Sequence, residues 1–164
     1  MGSLDGKVAL VTGSTSGIGK ASAHALAAEG ARIVLNSSAS VDAGLALVDA
    51  LPTESHYIQG DISKEDDCAA LVAGAVERFG QLDVLVNNAG WTTRVDHADH
   101  EAMTNEILFK TIEVNVYGTW WMSKAAMPHL KETAGCIVNV TSIAGLRPVG
   151  SSLAYGMAKA ALNS

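Results

Sequence analysis

Short apolar segments alternate with helix-length segments along this chain, and this alternation limits the possible folds more than any other feature. Five runs have the length and residue types of β-strands, and they lie at 7–12, 32–36, 55–59, 82–87 and 136–141. Helical patterns separate them at 17–29, 41–51, 64–79 and about 97–130, and another helix begins after 152. This order predicts right-handed β-α-β units and a parallel sheet. The strand runs are nearly all apolar, which indicates helices on both sheet faces.

Particular residues predict where these helices begin and end. Gly30 and Gly80 follow the last periodic residue of their helices, a typical position for a C-terminal cap. Pro52 ends the second helix, and Ser63 is the expected N-cap of the third. Ser152 is expected to begin the last helix.

Length and composition exclude several classes of protein. The 164 residues suit one domain, so we interpret 1–164 as a single folding unit. Eleven basic and 17 acidic side chains give a net charge of −6, which argues against binding to nucleic acid or anionic lipid by charge. No apolar run is long enough to span a membrane, and the first residues do not resemble a signal peptide. Cys68 and Cys136 lack a paired spacing, so we expect buried thiols in a cytoplasmic protein.

A glycine-rich turn follows the first strand, where ligands bind in folds of this class. Its glycines allow the backbone to approach a pyrophosphate, and the following helix offers free N–H groups and the positive end of its dipole. This placement favours a dinucleotide site over a plain turn. A P-loop is disfavoured because no Gly-Lys-Ser/Thr sequence follows. The candidate contacts are Gly13, Ser14, Thr15, Ser16, Gly17, Ile18 and Gly19.

The residues after the second strand predict how the adenosine ribose is recognised. An acid there would bind the ribose hydroxyls and repel a 2′-phosphate. This chain has the neutral residues Asn36, Ser37 and Ser38, with neither an acid nor a base among them. NAD and NADP therefore both remain open.

Polar and small residues also follow the third, fourth and fifth strands. Asp61 and Ile62 follow the third strand, and Asp61 alone would be interpreted as a turn residue. The run Asn88-Ala89-Gly90 follows the fourth, and Ser142 follows the fifth. Amide side chains and a glycine at a strand end are difficult to explain as core.

A possible catalytic pair lies on the last helix. Tyr155 and Lys159 are four residues apart and so share a helix face. An ammonium near a tyrosine hydroxyl favours the phenolate and makes the tyrosine a usable general acid or base. Asn115 lies between two valines in the long middle helix, which indicates a specific partner or a kink.

Together these motifs resemble the short-chain dehydrogenase/reductase family, from Lys7 onward. They are Thr-Gly-x-x-x-Gly-Ile-Gly, Asp61, Asn-Asn-Ala-Gly, Asn115, Ser142 and Tyr155-x-x-x-Lys159. The resemblance implies an α/β Rossmann-like, doubly wound parallel sheet that binds NAD or NADP and transfers a hydride to or from a small carbonyl or alcohol substrate. It also implies a homo-oligomer.

The resemblance assigns a role to each site residue. Tyr155 exchanges a proton with the substrate oxygen, and Ser142 holds that oxygen. Lys159 assists Tyr155 and binds the nicotinamide ribose, while Asn115 anchors a water of a proton relay. Asp61 binds the adenine amino group, and Ile62 offers a backbone contact.

Family members run to roughly 250 residues, so the resemblance also implies that C-terminal strands and a substrate lid are missing. We therefore expect strand five to be a sheet edge and the 164-residue chain alone to have little turnover. The alternative is a shortened relative that acts as a nucleotide-binding or interaction module.

Three other segments contain conspicuous residues. The segment 96–101 resembles a metal-binding cluster because it contains His97 and His100, but an acidic helix start is the preferred interpretation. Residues 91–94 are expected at the substrate entrance. Trp120 and Trp121 fit either a dimer interface, as in the family, or core packing.

Overall fold

The computed structural model describes residues 2–164 and shows a parallel sheet of five strands. The strands are β1 (Val8–Val11), β2 (Arg32–Ser37), β3 (Ser55–Gln59), β4 (Val84–Asn87) and β5 (Cys136–Asn139). The first helices are α1 (Gly17–Ala28), α2 (Val41–Ala50) and α3 (Glu65–Phe79). Then follow α4 (Asn105–Ile112), a π-helical segment (Glu113–Tyr117), α5 (Gly118–Thr133), a 3₁₀ turn (Ile143–Gly145) and α6 (Leu153–Ala161).

The order of the strands places the carboxyl ends of neighbouring strands side by side. The sheet runs β3-β2-β1-β4-β5, so the chain leaves β1 in one direction and later returns to its other side. Val11 is in register with Leu35 of β2 and with Val86 of β4, and Val86 is in register with Val138 of β5. The reversal of strand order beside β1 opens a crevice at this edge.

Apolar clusters on both faces of the sheet confirm the predicted doubly wound architecture. One cluster joins Leu10 and Leu85 of the sheet to α3 and α5, where Leu71 and Met122 are fully buried. The other joins the sheet to α1 and α2, and includes Leu35. Packing on both faces holds the carboxyl ends of the strands in place at the crevice.

Two predicted helix starts are wrong, because local hydrogen bonds replace them. Ser63 does not cap α3; its hydroxyl donates to Asp61 Oδ1 at 2.8 Å, and Lys64 is the N-cap. The helix expected from about residue 97 begins at Asn105, where Thr104 Oγ1 accepts from the Ile107 N–H at 3.3 Å. The acidic segment 96–101 therefore lies in turns.

The two cysteines differ, and the expectation that both are buried is wrong for one. Cys68 is fully buried in α3, and burial raises the pKa of its thiol to about 12. Cys136 is exposed because β5 pairs only with β4 within residues 2–164 and forms the sheet edge. In that same range, no helix combines the length and the apolar character needed to cross a bilayer.

Candidate active site

A cleft with a volume of about 960 Å³ opens at the carboxyl edge of the sheet. Loops after β1, β2, β3 and β4 line it, together with residues of β5's continuation, α4 and α6. Most of the predicted site residues line the cleft: Gly13, Thr15, Ser16, Gly17, Ile18, Asn36, Ser37, Ser38, Asp61, Ile62, Asn88, Ala89, Gly90, Tyr155 and Lys159. Four others lie behind this lining or beside it: Ser14, Gly19, Asn115 and Ser142.

The start of α1 leaves its backbone donors available to a ligand. Ser16 is the N-cap, but its side chain makes no capping hydrogen bond. First-turn N–H groups have no partner within a helix, so they can bind phosphate oxygens here. Gly13, at φ +60°, keeps the turn close to the neighbouring loop, since a Cβ there would lie 2.9 Å from Ala89 Cα.

Ser14 and Asn36 are predicted cofactor contacts, and their polar side chains also join the strands beside the cleft. Ser14 is fully buried, and its hydroxyl accepts from the Asn36 N–H at 2.9 Å. Asn36 Nδ2 donates to the carbonyls of Gly60 and Ile58, at 3.0 and 3.2 Å. These bonds join β1, β2 and the end of β3. The side-chain nitrogen of Asn36 is therefore already hydrogen-bonded within the protein.

The two serines after Asn36 also differ. The hydroxyl of Ser37 is 2.8 Å from Tyr57 Oη and accepts from the Ser40 N–H at 3.1 Å. Ser38 is exposed at the cleft. The hydroxyl of Ser38 is therefore freer to meet a ribose substituent than that of Ser37.

The loops after β1 and β4 are joined by the side chains of Thr12 and Asn88, and Thr12 is not among the predicted cofactor contacts. Thr12 is fully buried, and its Oγ1 accepts from the N–H groups of Asn88 and Ala89, both at 3.0 Å. Asn88 Nδ2 in turn donates to the carbonyls of Thr12 and Gly13, at 2.9 and 3.0 Å. In the sequence, this role of Thr12 is indicated by a small hydroxyl residue directly before the first glycine of the turn.

Tyr155 and Lys159 face each other along α6. Ser152 begins this helix as predicted, since its Oγ accepts from the Tyr155 N–H at 3.2 Å. Lys159 Nζ lies 5.7 Å from the centre of the Tyr155 ring and donates to the Val140 carbonyl at 2.8 Å. Burial lowers the pKa of Lys159, because the charged ammonium is disfavoured away from water.

Asn115 lies in the π-helical segment, which confirms the expectation of a specific partner and a distortion. Its Nδ2 donates to the carbonyls of Trp91 and Thr111, at 2.7 and 2.9 Å. Its Oδ1 is buried and has no partner within the described residues. A Cβ on Gly90 would lie 2.7 Å from this oxygen and 3.8 Å from Lys159 Nζ. The absent side chain of Gly90 thus leaves a polar space between Asn115 and Lys159.

Aromatic residues occupy two places near the site. Trp91 and Thr92 line the cleft, as predicted, and Lys110 Nζ lies 4.5 Å above the Trp91 ring. Lys110 was not predicted because its contact with Trp91 joins two segments of the chain that no local pattern brings together. Trp121 packs against the core, which fits the core-packing interpretation. Trp120 has 63% of its surface exposed, so core packing does not account for it.

Metal binding finds no geometric support in the part of the chain that the structure describes. No three His, Cys, Asp or Glu side chains converge there in a way that could hold an ion. His97 and His100 lie in the turn segment before α4.

Known proteins are similar to this chain in both sequence and architecture. A protein from Streptomyces violaceoruber, named "Granaticin polyketide synthase putative ketoacyl reductase 2", is 52% identical over 151 residues, covering 92% of this chain and 60% of the relative. The crystal structure of levodione reductase matches with a TM-score of 0.88 and 30% identity, over 97% of this chain and 63% of that one. A solved "putative short-chain dehydrogenase/reductase" from Burkholderia xenovorans matches with a TM-score of 0.90 and 32% identity, over 96% and 68%.

The chain spans between 54% and 66% of the length of eight of the curated relatives it matches. The sequence model of the family described as short chain dehydrogenase matches residues 7–164. This match shows that the chain belongs to the short-chain dehydrogenase/reductase family.

Proposed function

We propose that this protein is an NAD(P)-dependent oxidoreductase that interconverts a carbonyl and an alcohol. The observation that carries the proposal is the convergence of Tyr155, Lys159 and the space beside Asn115 Oδ1 at one end of a cleft. The uncapped start of α1 lies along the same cleft. A phosphate-binding end and a proton-transfer end therefore share one cavity.

The residues of the cleft fit a dinucleotide. The free N–H groups of α1 would hold the pyrophosphate, and Asp61 and Ile62 lie where an adenine could reach them. Asn88, Ala89 and Gly90 present backbone to the adenosine ribose. When bound, the dinucleotide supplies or accepts the hydride.

The side chains around α6 would handle the proton. Tyr155 would give its hydroxyl proton to a carbonyl oxygen during reduction, or take the proton of an alcohol during oxidation. The Lys159 ammonium lies 5.7 Å from the centre of the Tyr155 ring and would hydrogen-bond the nicotinamide ribose. Ser142 would donate to the reacting oxygen. Asn115 Oδ1 would accept from a water that leads from Lys159 toward solvent.

The cleft supports either NADP or NAD. Ser38 and Ser40 present hydroxyls near the end of β2, and no carboxylate stands at 36–40 to repel a 2′-phosphate. No basic side chain at 36–40 attracts one either. We therefore propose that both dinucleotides bind.

The substrate we propose is a small-molecule carbonyl compound, with a ketoacyl compound as the first to test. The support is the 52% identity to a relative whose printed name includes ketoacyl reductase. Neither nucleic acid nor a membrane surface is a proposed partner, given the net charge of −6.

We also propose that residues 1–164 belong to one dinucleotide-binding domain of a subunit that works as a homo-oligomer in the cytoplasm. Exposed apolar side chains on α5, among them Trp120 and Met127, support an interface between copies. Two free thiols support a reducing compartment.

Replacing Tyr155 tests the proposed chemistry. In Tyr155→Phe we expect turnover of a ketoacyl substrate with NADPH or NADH to fall by about 10²–10⁴-fold, because the proton donor is lost. Binding of the dinucleotide, measured by calorimetry, should change little. Tyr117→Phe is the matched control, since Tyr117 is half exposed outside the cleft lining.

The two candidate functions give different outcomes in this experiment. An oxidoreductase binds the dinucleotide and turns over, slowly in the 164-residue chain alone, and only the Tyr155 variant loses that turnover. Binding without turnover in the unaltered protein would support the alternative, a nucleotide-binding module. Absence of binding would overturn both.

A further inference from the structure

The 3₁₀ turn Ile143–Gly145 joins β5 to the loop before α6, and it holds the hydroxyl of Ser142. Ser142 is the N-cap of the turn, and its Oγ accepts from the Ala144 N–H at 3.2 Å. Because the Ser142 oxygen accepts from that N–H, the hydrogen of the Ser142 hydroxyl remains free to donate to another group. The orientation of the turn therefore sets where this hydrogen can point.

Gly145 brings the turn into direct contact with the backbone of α6. A Cβ on Gly145 would lie 2.6 Å from the carbonyl carbon of Lys159, 2.7 Å from its oxygen and 2.8 Å from the Ala160 nitrogen. All three atoms belong to a hydrogen-bonded helix and cannot rotate aside. The space beside α6, rather than an unusual backbone angle, requires glycine at this position.

Two hydrogen bonds lie beside this contact. Asn163, which follows α6, donates from Nδ2 to the Gly145 carbonyl at 3.4 Å, and Lys159 Nζ donates to the carbonyl of Val140, which follows β5, at 2.8 Å. The separation of Ser142 from Tyr155 therefore depends on the contact between the turn and α6.

We propose that Gly145 is a positioning residue for the reaction, because its close contact with α6 sets the distance between the Ser142 hydroxyl and the Tyr155 hydroxyl. The inference rests on the proposed function, in which both hydroxyls meet one substrate oxygen. A methyl group at Gly145 must move the turn away from α6 by several tenths of an ångström or more. Misplacement of about 1 Å can lower a rate by about 10²-fold.

The test compares three glycine-to-alanine variants that differ in how strongly they push on the turn. Gly145→Ala should lower kcat by about 10–100-fold and leave the Kd of NADPH unchanged. Gly156→Ala, whose Cβ would lie 3.2 Å from the Ala144 oxygen, should lower kcat less. Gly74→Ala is the control, because its Cβ would meet only the movable Cδ1 of Ile58 in a helix remote from the cleft.

A double-variant cycle separates positioning from a general loss of structure. If Gly145 acts through Ser142, then Gly145→Ala should cost far less in a Ser142→Ala background than in the unaltered protein. Equal losses in both backgrounds would overturn the proposal. So would a Gly145→Ala variant with full kcat. If Gly145→Ala does not fold, the same cycle is run with Gly156→Ala.

A second measurement does not depend on turnover. The Ala144 N–H should exchange with deuterium faster in Gly145→Ala than in Gly74→Ala, because its bond to Ser142 Oγ is disturbed. Unchanged exchange would contradict the proposed contact. An unaltered protein without turnover would instead overturn the proposed function, so the two failures are distinguishable.

Discussion

Lys159 holds a charge in a place where burial disfavours it. Only 4% of its surface is exposed, and its one hydrogen bond in the described structure goes to the Val140 carbonyl. No carboxylate within ion-pair distance offsets the lost hydration among residues 2–164. In the proposed reaction this same ammonium would bind the nicotinamide ribose beside Tyr155, so stability is given up for chemistry.

Replacing this lysine should therefore change stability in a pH-dependent way. Burial lowers the pKa of Lys159 below its ordinary 10.5. The unfolding free energy thus carries a full penalty below the lowered pKa, and the penalty disappears as pH rises toward 10.5. Relative to Lys159→Met, the unaltered protein should gain stability between pH 7 and pH 10, as measured by urea unfolding. A difference that stays constant, or widens in the opposite direction, would contradict this account.

At the scale of elements, the sequence predicted most strands and helices because apolar periodicity and capping residues act locally. β3 matches its predicted bounds, and Gly80 is the left-handed cap that ends α3. The start of α4 was missed because the charged residues at 96–101 fit a first helical turn, and the side chains of Asp96 and Asp99 instead accept from backbone N–H groups in turns. Cys136 is exposed because β5 lies at the sheet edge. The family resemblance implied that position, but no local sequence pattern indicates it.

The C-terminal end of α5 offers a test of backbone strain. Ala134 has φ +51° and is the one non-glycine residue with positive φ in the described chain. The left-handed region costs alanine about 1–2 kcal/mol, whereas glycine loses about 0.4–1 kcal/mol in unfolded-state entropy. Ala134→Gly should therefore raise the free energy of unfolding by about 0.5–1 kcal/mol. Ala125→Gly, inside the same helix, should lower it by about 1 kcal/mol. Denaturant titration measures both, and a destabilised Ala134→Gly would refute the strain.

For the whole molecule, the sequence predicted which strand ends form the candidate site but not the hydrogen bonds between its loops. Parallel strands with helices on both faces bring the residues after β1, β3 and β4 to one edge, so Gly13 and Asn88 were predicted from their positions, whereas the role of Asp61 came from the family resemblance. The scaffold roles of Ser14 and Asn36 depend on contacts between distant loops. The contact between Lys110 and Trp91 likewise joins separate segments, which no local pattern indicates.

The exposed aromatic surface of α5 makes a prediction about assembly. Trp120→Glu should reduce the mass measured by light scattering, because a charge would replace an apolar side chain that is 63% exposed and proposed to meet another copy. Leu45→Glu is the control, since Leu45 is 52% exposed on α2, on the other face of the sheet. An unchanged mass for Trp120→Glu, or an equal loss in both variants, would contradict an interface at α5.

The central claim is that hydride passes between a dinucleotide in this cleft and a carbonyl carbon, and isotope transfer tests it most directly. The protein is incubated with a ketoacyl compound and NADPH or NADH that carries deuterium at C4, with each stereoisomer in turn. One stereoisomer should give an alcohol that is one mass unit heavier, and Tyr155→Phe should give little product. An alcohol without label from either stereoisomer, or dinucleotide binding with no alcohol formed, would contradict the account.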